Sequence, residues 1–397
     1  MKKPIIIGTL LIIGLLTLTQ SCFYSPRYIY RVVAWQDADY DDFEKFKYAD
    51  IKRAHVAYKF INGTKAQTSD VVKTFEEDST ISNLDNFLKK KKTHSFIVIR
   101  NDTLLYENYF SGNDRNSLQT SFSVSKSILS LLMGIAIHEG AIGNIEDPIT
   151  KYVPELEKED IRFRDITIMH LLKMQSGLSY SHNISFPFVT GDSPKTYYHP
   201  NLRKVAIKHS KIEQKPGIKF KYNNYNALLI GLVLERTTGK SISKYLESKI
   251  WQKIGTEYDA TWSTDENNFE KMESGFNARA IDFAKIGKLA LDNGKWQNNQ
   301  IVQSSWIDES IQPKMDSTYQ NFSNPKFWTY NYLWWGIPEK NTKSDFMAIG
   351  NLGQIIYVSP RANTIIVRNG DEAELFDDSD WIILFQNFIE NTLKPKE

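Results

Sequence analysis

Cysteine is almost absent. The one thiol in 397 residues is Cys22, so no disulfide can form within the chain and the fold must hold by packing alone. An excess of charge of either sign is also missing. The 49 Lys and Arg stand against 47 Asp and Glu, a formal net of +2, which excludes binding of nucleic acid by bulk electrostatics. The short Lys89–Lys92 run reads as a solvated helix end. The seven histidines are scattered, with no His-x-x-x-His and no paired cysteines, so no metal centre is expected. There is no phosphate-binding glycine loop and no dinucleotide fingerprint, and no cofactor is expected. Beyond residue 22 no apolar stretch is long enough to cross a bilayer. Internal repeats and low-complexity segments are absent too.

What is present is ordinary globular composition, 41% hydrophobic and 13% aromatic, enough for a sizeable core. The first residues differ. Lys2 and Lys3 precede an apolar run from Ile5 to Leu18, and Leu18-Thr19-Gln20-Ser21-Cys22 follows. This resembles a bacterial lipoprotein signal peptide over residues 1–21, with Cys22 as the lipid attachment site. A plain signal peptide or an uncleaved anchor is the alternative. The resemblance implies a cell-envelope protein held to the membrane by its lipidated N-terminus, facing the periplasm or the surface. Phe23, rather than Asp, after Cys22 directs the expectation to the outer membrane.

Residues 22–81 hold no chemical motif and read as a lead-in or a small module. Within them, Arg27 to Trp35 and His55 to Ile61 read as strands from their β-branched and aromatic content. From about Ser82 the signals sharpen. Leu84 to Lys91 reads as a helix, and Ser95 to Gly112 as a hairpin turning at Asn101-Asp102. Thr167 would cap a helix that stops at Gln175-Ser176-Gly177. Ser179 to Pro200 reads as a long polar and aromatic loop bordering a cleft. Helices are expected over Asn223 to Gly239, Ser274 to Gly294 and Trp381 to Leu393. Trp334-Trp335-Gly336 reads as a strand. Phe346 to Val358 reads as a Gly-interrupted strand, with a turn at Pro360 and a partner strand at Thr364 to Val367. Strands at both ends with helices between them give an α+β fold: an antiparallel sheet flanked by helices, with a helical insertion.

One stretch organises the chemistry. Ser121 to Gly140 reads as a buried helix with Ser123 at its mouth and Lys126 one turn in, on the same face. A hydroxyl beside an amine, at a helix N-terminus, has the parts of an activated nucleophile. The S-x-x-K spacing alone is weak, since Ser241/Lys244 and Ser323/Lys326 share it. Context separates them: the residues after Lys126 are apolar nearly all round, whereas Ser241 reads as an ordinary N-cap and Ser323 lies in a polar loop. His170 reads as structural.

Three ordered elements together resemble the penicillin-recognising serine hydrolases, which include class C β-lactamases, DD-peptidases, esterases and 6-aminohexanoate-dimer hydrolases. They are Ser123-Val124-Ser125-Lys126, then Tyr222-Asn223-Asn224, then Ala348-Ile349-Gly350 leading into Asn351-Leu352-Gly353-Gln354. Tyr-x-Asn alone is nonspecific, as Tyr106/Asn108 and Tyr319/Asn321 match it; the order and the flanks carry the likeness. The resemblance implies a β-lactamase/transpeptidase-like fold over residues 82–397. It implies Ser123 as nucleophile, Lys126 as its base and Tyr222 as a proton relay. The backbone N–H groups of Ser123 and Asn351 would form the oxyanion hole, and Asn224, Gly350 and Trp335 would meet the substrate. The substrate would be a small ester or amide, cleaved through an acyl-enzyme. Ala348 stands where β-lactam-binding relatives carry a lysine, which argues against β-lactamase and DD-peptidase activity. A catalytically silent module that binds peptidoglycan or a peptide is the alternative. Oligomeric state is left open.

Overall fold

The computed structural model describes residues 24–182, 188–312, 328–338, 344–372 and 376–394. The signal segment, Cys22, Ser323/Lys326 and Tyr319/Asn321 lie outside the described residues.

The strands run β1 (Lys47–Ile51), β2 (Ile61–Asn62), β3 (Thr93–Arg100), β4 (Thr103–Tyr109), β5 (Gln119–Thr120), β6 (Ala260–Thr264) and β7 (Phe276–Ala278), then β8 (Lys295–Trp296), β9 (Asn299–Gln300), β10 (Thr329–Asn331), β11 (Trp334–Ile337), β12 (Asp345–Gly350), β13 (Gln354–Ser359) and β14 (Thr364–Gly370). Eight of them form the main sheet in the order β10-β11-β12-β13-β14-β3-β4-β2. Every pairing is antiparallel except the short β2–β4 contact at the edge, which is parallel. The two ends of the chain meet at the centre, where β14 pairs with β3 and Val367 faces Ile97. A smaller sheet, β1-β6-β7-β5, stands beside the first.

Alternate residues of a strand point to opposite faces, and here both faces are covered. Ile97, Ile99, Ala348, Ile356, Ile365 and Val367 join the core of the helical body. Phe96, Val98, Met347, Ile355, Tyr357 and Ile366 pack instead with Phe75, Leu88, Trp381, Phe385 and Phe388. The last four of these partners belong to helices at the two chain ends, Leu84–Lys90 and Asp378–Leu393, and Phe75 lies in the Lys65–Glu76 helix. Burial on both sides explains why these strands read as continuous apolar runs.

The expected α+β pattern is what the chain adopts, with local corrections. Arg27 to Trp35 is not a strand but the body of a helix, Pro26–Trp35. Ser25 caps it by accepting from the Tyr28 N–H, proline stands at its first position, and Tyr28, Arg31 and Val32 bury one face. The aromatic content that suggested β structure instead fills this face. Of His55 to Ile61 only Ile61 is in a strand. Thr64 opens an unanticipated helix, Lys65–Glu76, through a capping box with Gln67. The Ser179 to Pro200 stretch contains a helix, Asp192–Tyr198. The first residues of the Ser274 to Gly294 stretch form β7, and the helix begins only at Ala280. The Gly-interrupted strand is two strands, β12 and β13, folded back on each other at Asn351–Gly353. Residues 24–81 pack onto the rest: β1 pairs with β6, and β2 extends the main sheet.

Candidate active site

Ser123 sits where a strand becomes a helix. β5 pairs with β7, the Ser121 N–H donates to the Phe276 carbonyl, and the chain turns through Phe122 at φ +43°. Ser121 and Ser125 hydroxyls share a hydrogen bond of 2.8 Å, and Ser125 Oγ accepts from the Phe276 N–H. The turn is thereby stitched to the small sheet before the Val124–His138 helix starts. That helix is buried from Val124 to Ala136, so its place is fixed by packing on all sides.

The hydroxyl of Ser123 makes no capping bond to its own helix. It contacts Lys126 Nζ at 2.8 Å, and the same nitrogen donates to the Glu273 carbonyl at 2.9 Å. Ser241, at the same spacing from Lys244, behaves differently: its hydroxyl accepts from the Lys244 N–H as a plain N-cap, and Lys244 Nζ pairs with Glu247 on the surface. One pattern thus has two outcomes, decided by burial. Lys126 is 1% exposed. Desolvation pushes its pKa down to about 7, against the opposing field of Glu273. A neutral amine is therefore accessible near neutral pH, and such an amine can accept a hydrogen bond at that contact.

Tyr222 completes the group. Burial raises its phenol's pKa well above the ordinary tyrosine value, and the Ser123 hydroxyl nearby partly offsets this. Lys126 Nζ lies 4.9 Å from the Tyr222 ring centroid. Asn223 anchors this segment: it caps the Asn224–Thr238 helix through the Tyr225 N–H and donates to the Leu178 carbonyl at 3.1 Å. Trp335 on β11 stacks on Tyr222, with centroids 6.0 Å apart and planes at 21°, and Tyr330 and Phe220 close the aromatic wall. Asn224 donates to the Tyr180 hydroxyl at 2.8 Å, while its Oδ1 is buried with no partner among the described residues.

Strand β12 brings the last pieces. A Cβ placed on Gly350 would lie 2.2 Å from the Ser121 carbonyl and 3.0 Å from the Ser123 nitrogen. Only glycine lets this strand approach so closely, and the approach sets Asn351 beside the N-terminus of the serine's helix. Ala348 is fully buried and Ile349 partly exposed, so the strand presents no cation. His170 holds its own helix end, its Nδ1 accepting from the Thr167 N–H at 3.1 Å.

The structure therefore brings Ser123 and Lys126 into hydrogen-bond contact, with the Tyr222 ring beside Lys126 and Gly350, Asn351 and Trp335 around them. It adds what no side-chain pattern could announce, the Glu273 carbonyl, because a main-chain oxygen has no signature in sequence. Among the described residues no cluster of His, Cys, Asp and Glu is arranged to hold a metal.

A family model described as Beta-lactamase matches residues 82–381. A 6-aminohexanoate-dimer hydrolase from Paenarthrobacter ureafaciens is 25% identical over 346 residues, covering 84% of this chain and 86% of that protein. A Bacillus anthracis structure, provisionally described as a 6-aminohexanoate-dimer hydrolase, aligns with a TM-score of 0.72 at 22% identity, over 92% of this chain and 94% of that one. A class C β-lactamase structure aligns with a TM-score of 0.62 at 13% identity, over 85% and 100%. The likeness to these structures is one of fold, β-lactamase/transpeptidase-like.

Proposed function

Because the chain belongs to the β-lactamase family, we propose that it is a serine hydrolase that cleaves an ester or amide through an acyl-enzyme on Ser123. One observation carries the reading: a serine hydroxyl, free of capping, meets a buried lysine amine at 2.8 Å, and a partly buried tyrosine ring stands 4.9 Å from that amine. The hydroxyl attacks the substrate carbonyl as its proton passes to neutral Lys126. The oxyanion forms against the Ser123 and Asn351 N–H groups. Tyr222 relays the proton to the leaving alcohol or amine, and the acid–base group then acts as one coupled unit. Water resolves the acyl-enzyme by the reverse path.

The hydrolase name of the Paenarthrobacter relative supports a hydrolytic step. The substrate preference proposed here comes from β12. Ala348 and Ile349 cannot offset the desolvation of a carboxylate, so a neutral acyl group against the Trp335–Tyr222 wall fits best. Lipid attachment at Cys22, and with it an outer-membrane location, belongs to the same proposal and rests on the sequence pattern alone.

The test is active-site labelling with a fluorophosphonate, followed by turnover of p-nitrophenyl esters, D-Ala-D-Ala peptides and a chromogenic cephalosporin. Wild type should be labelled, Ser123→Ala should not, and ester turnover should far exceed cephalosporin turnover. An unlabelled wild type, or equal labelling of Ser123→Ala, overturns the assignment of the nucleophile.

A further inference from the structure

The Asn351–Gly353 turn that follows Gly350 is an unusual piece of backbone. Leu352 and Gly353 are both left-handed, at φ +61° and +75°, a conformation that leucine adopts only where its surroundings hold it there. Two buried side chains do so. Gln354 Nε2 faces the carbonyls of Asn351 at 3.3 Å, Leu352 at 3.4 Å and Gly370 at 2.6 Å. Its Oε1 accepts from Asn369 Nδ2 and the Gly370 N–H. Arg368 Nη1 donates to the carbonyls of Leu352 at 2.8 Å and Gly353 at 2.7 Å. Its Nη2 donates to those of Lys91 and Asp371, and its Nε to Thr93 Oγ1. All five guanidinium donors are thus used, on four carbonyls and a hydroxyl.

Burying a guanidinium completely is costly, and here the charge goes to hold main chain. Arg368 is fully buried under the face of Trp381, 4.4 Å from its ring centroid. The fit is tight: a Cβ on Gly353 would stand 2.2 Å from Nη1. Every carbonyl of the turn is therefore captured. The peptide planes that follow Asn351, Leu352 and Gly353 cannot rotate, and the Asn351 N–H, in the plane just before them, enters a turn whose path is fixed.

We propose that Arg368 and Gln354 are positioning residues: by holding the three carbonyls of the Asn351–Gly353 turn they fix the path of the turn, and through the Asn351 Cα the placing of the Asn351 N–H for the developing oxyanion. This rests on the serine-hydrolase reading above. Neither side chain touches substrate; each acts through the turn. Electrostatic stabilisation of this kind works only when donors are aimed before the reaction begins.

The experiment uses the full chain and the variant Gln354→Met, which keeps volume and removes the amide donors. Arg368→Lys, which retains charge but loses the planar fork, is the second variant. Steady-state ester hydrolysis, fluorophosphonate labelling and amide hydrogen exchange over residues 346–358 are measured on each. Loss of an oxyanion donor costs about 100- to 1,000-fold in kcat. A loosened donor should cost about 10-fold or more, with KM within about twofold and faster exchange in the turn. A folded Gln354→Met with wild-type kcat, or with KM and kcat weakened equally, overturns the proposal. If Arg368→Lys does not fold, Gln354→Met decides alone. Failure of wild type to label at Ser123 sinks the underlying reading instead, so the two failures are distinguishable.

Discussion

Lys126 shows how one side chain is tuned by what surrounds it. Burial drives its pKa down from the usual lysine value to about 7, and the charge of Glu273 partly resists. Tyr222, Ser123, the Lys271–Glu273 pair and His182 are the groups that face it. In the proposed mechanism the neutral amine is the base, so kcat/KM of wild type should be low below pH 7, rise through a midpoint near 7 and then level. Glu273→Gln removes the field that favours the ammonium, and the midpoint should move to lower pH. A rate profile measured from pH 5 to 10 checks both; a rising limb centred near 10 would show that another group titrates. That Ser123, Lys126 and Tyr222 lie together was legible in sequence because the proposed group is made of side chains at motif spacings. The contacts of the Glu273 carbonyl, Gln354 and Arg368 were not, because the main-chain oxygens in them could come from any residue.

Among the elements, β12 has the least tolerance. Its Gly350 abuts the Ser121 carbonyl and the Ser123 nitrogen, and neither backbone atom can swing aside as a flexible side chain would. Gly350→Ala should lower stability by about 1–3 kcal/mol, as overpacking does. It should also reduce ester turnover about 100-fold or more, because the displaced strand leads into Asn351, the proposed oxyanion donor. Thermal melts and kcat on the same preparation test this; a folded variant with full activity would contradict the approach described. Element boundaries were less legible than element identity. The terminal helix begins at Asp378, behind an Asp377–Asp380 capping box, where a run of polar residues hid the first turn. Arg27 to Trp35 reads as a strand in sequence yet is helical because rings and β-branched residues serve either structure, and only the Ser25-Pro26 start distinguishes them.

At the scale of the whole molecule, residues from both ends build one sheet, and this much was legible from strands at either end with helices between. The smaller sheet was not, since its strands are short and come from distant segments, β1, β5, β6 and β7. The proposed lipid anchor at Cys22 is tested at this scale too. Cells producing Cys22→Ala should incorporate no labelled palmitate into the protein and release it from the membrane fraction; unchanged membrane retention and labelling would refute attachment at that residue.

The central pairing of β3 with β14 also sets a timetable. Ser123 leaves the ribosome long before β12 and β14 are made, so for most of synthesis the serine exists without the strand that carries the proposed second oxyanion donor. In the proposed mechanism a nascent chain is in this respect its own inactive precursor. Premature termination before β14 should therefore leave a polypeptide with its nucleophile present and no reactivity towards a fluorophosphonate.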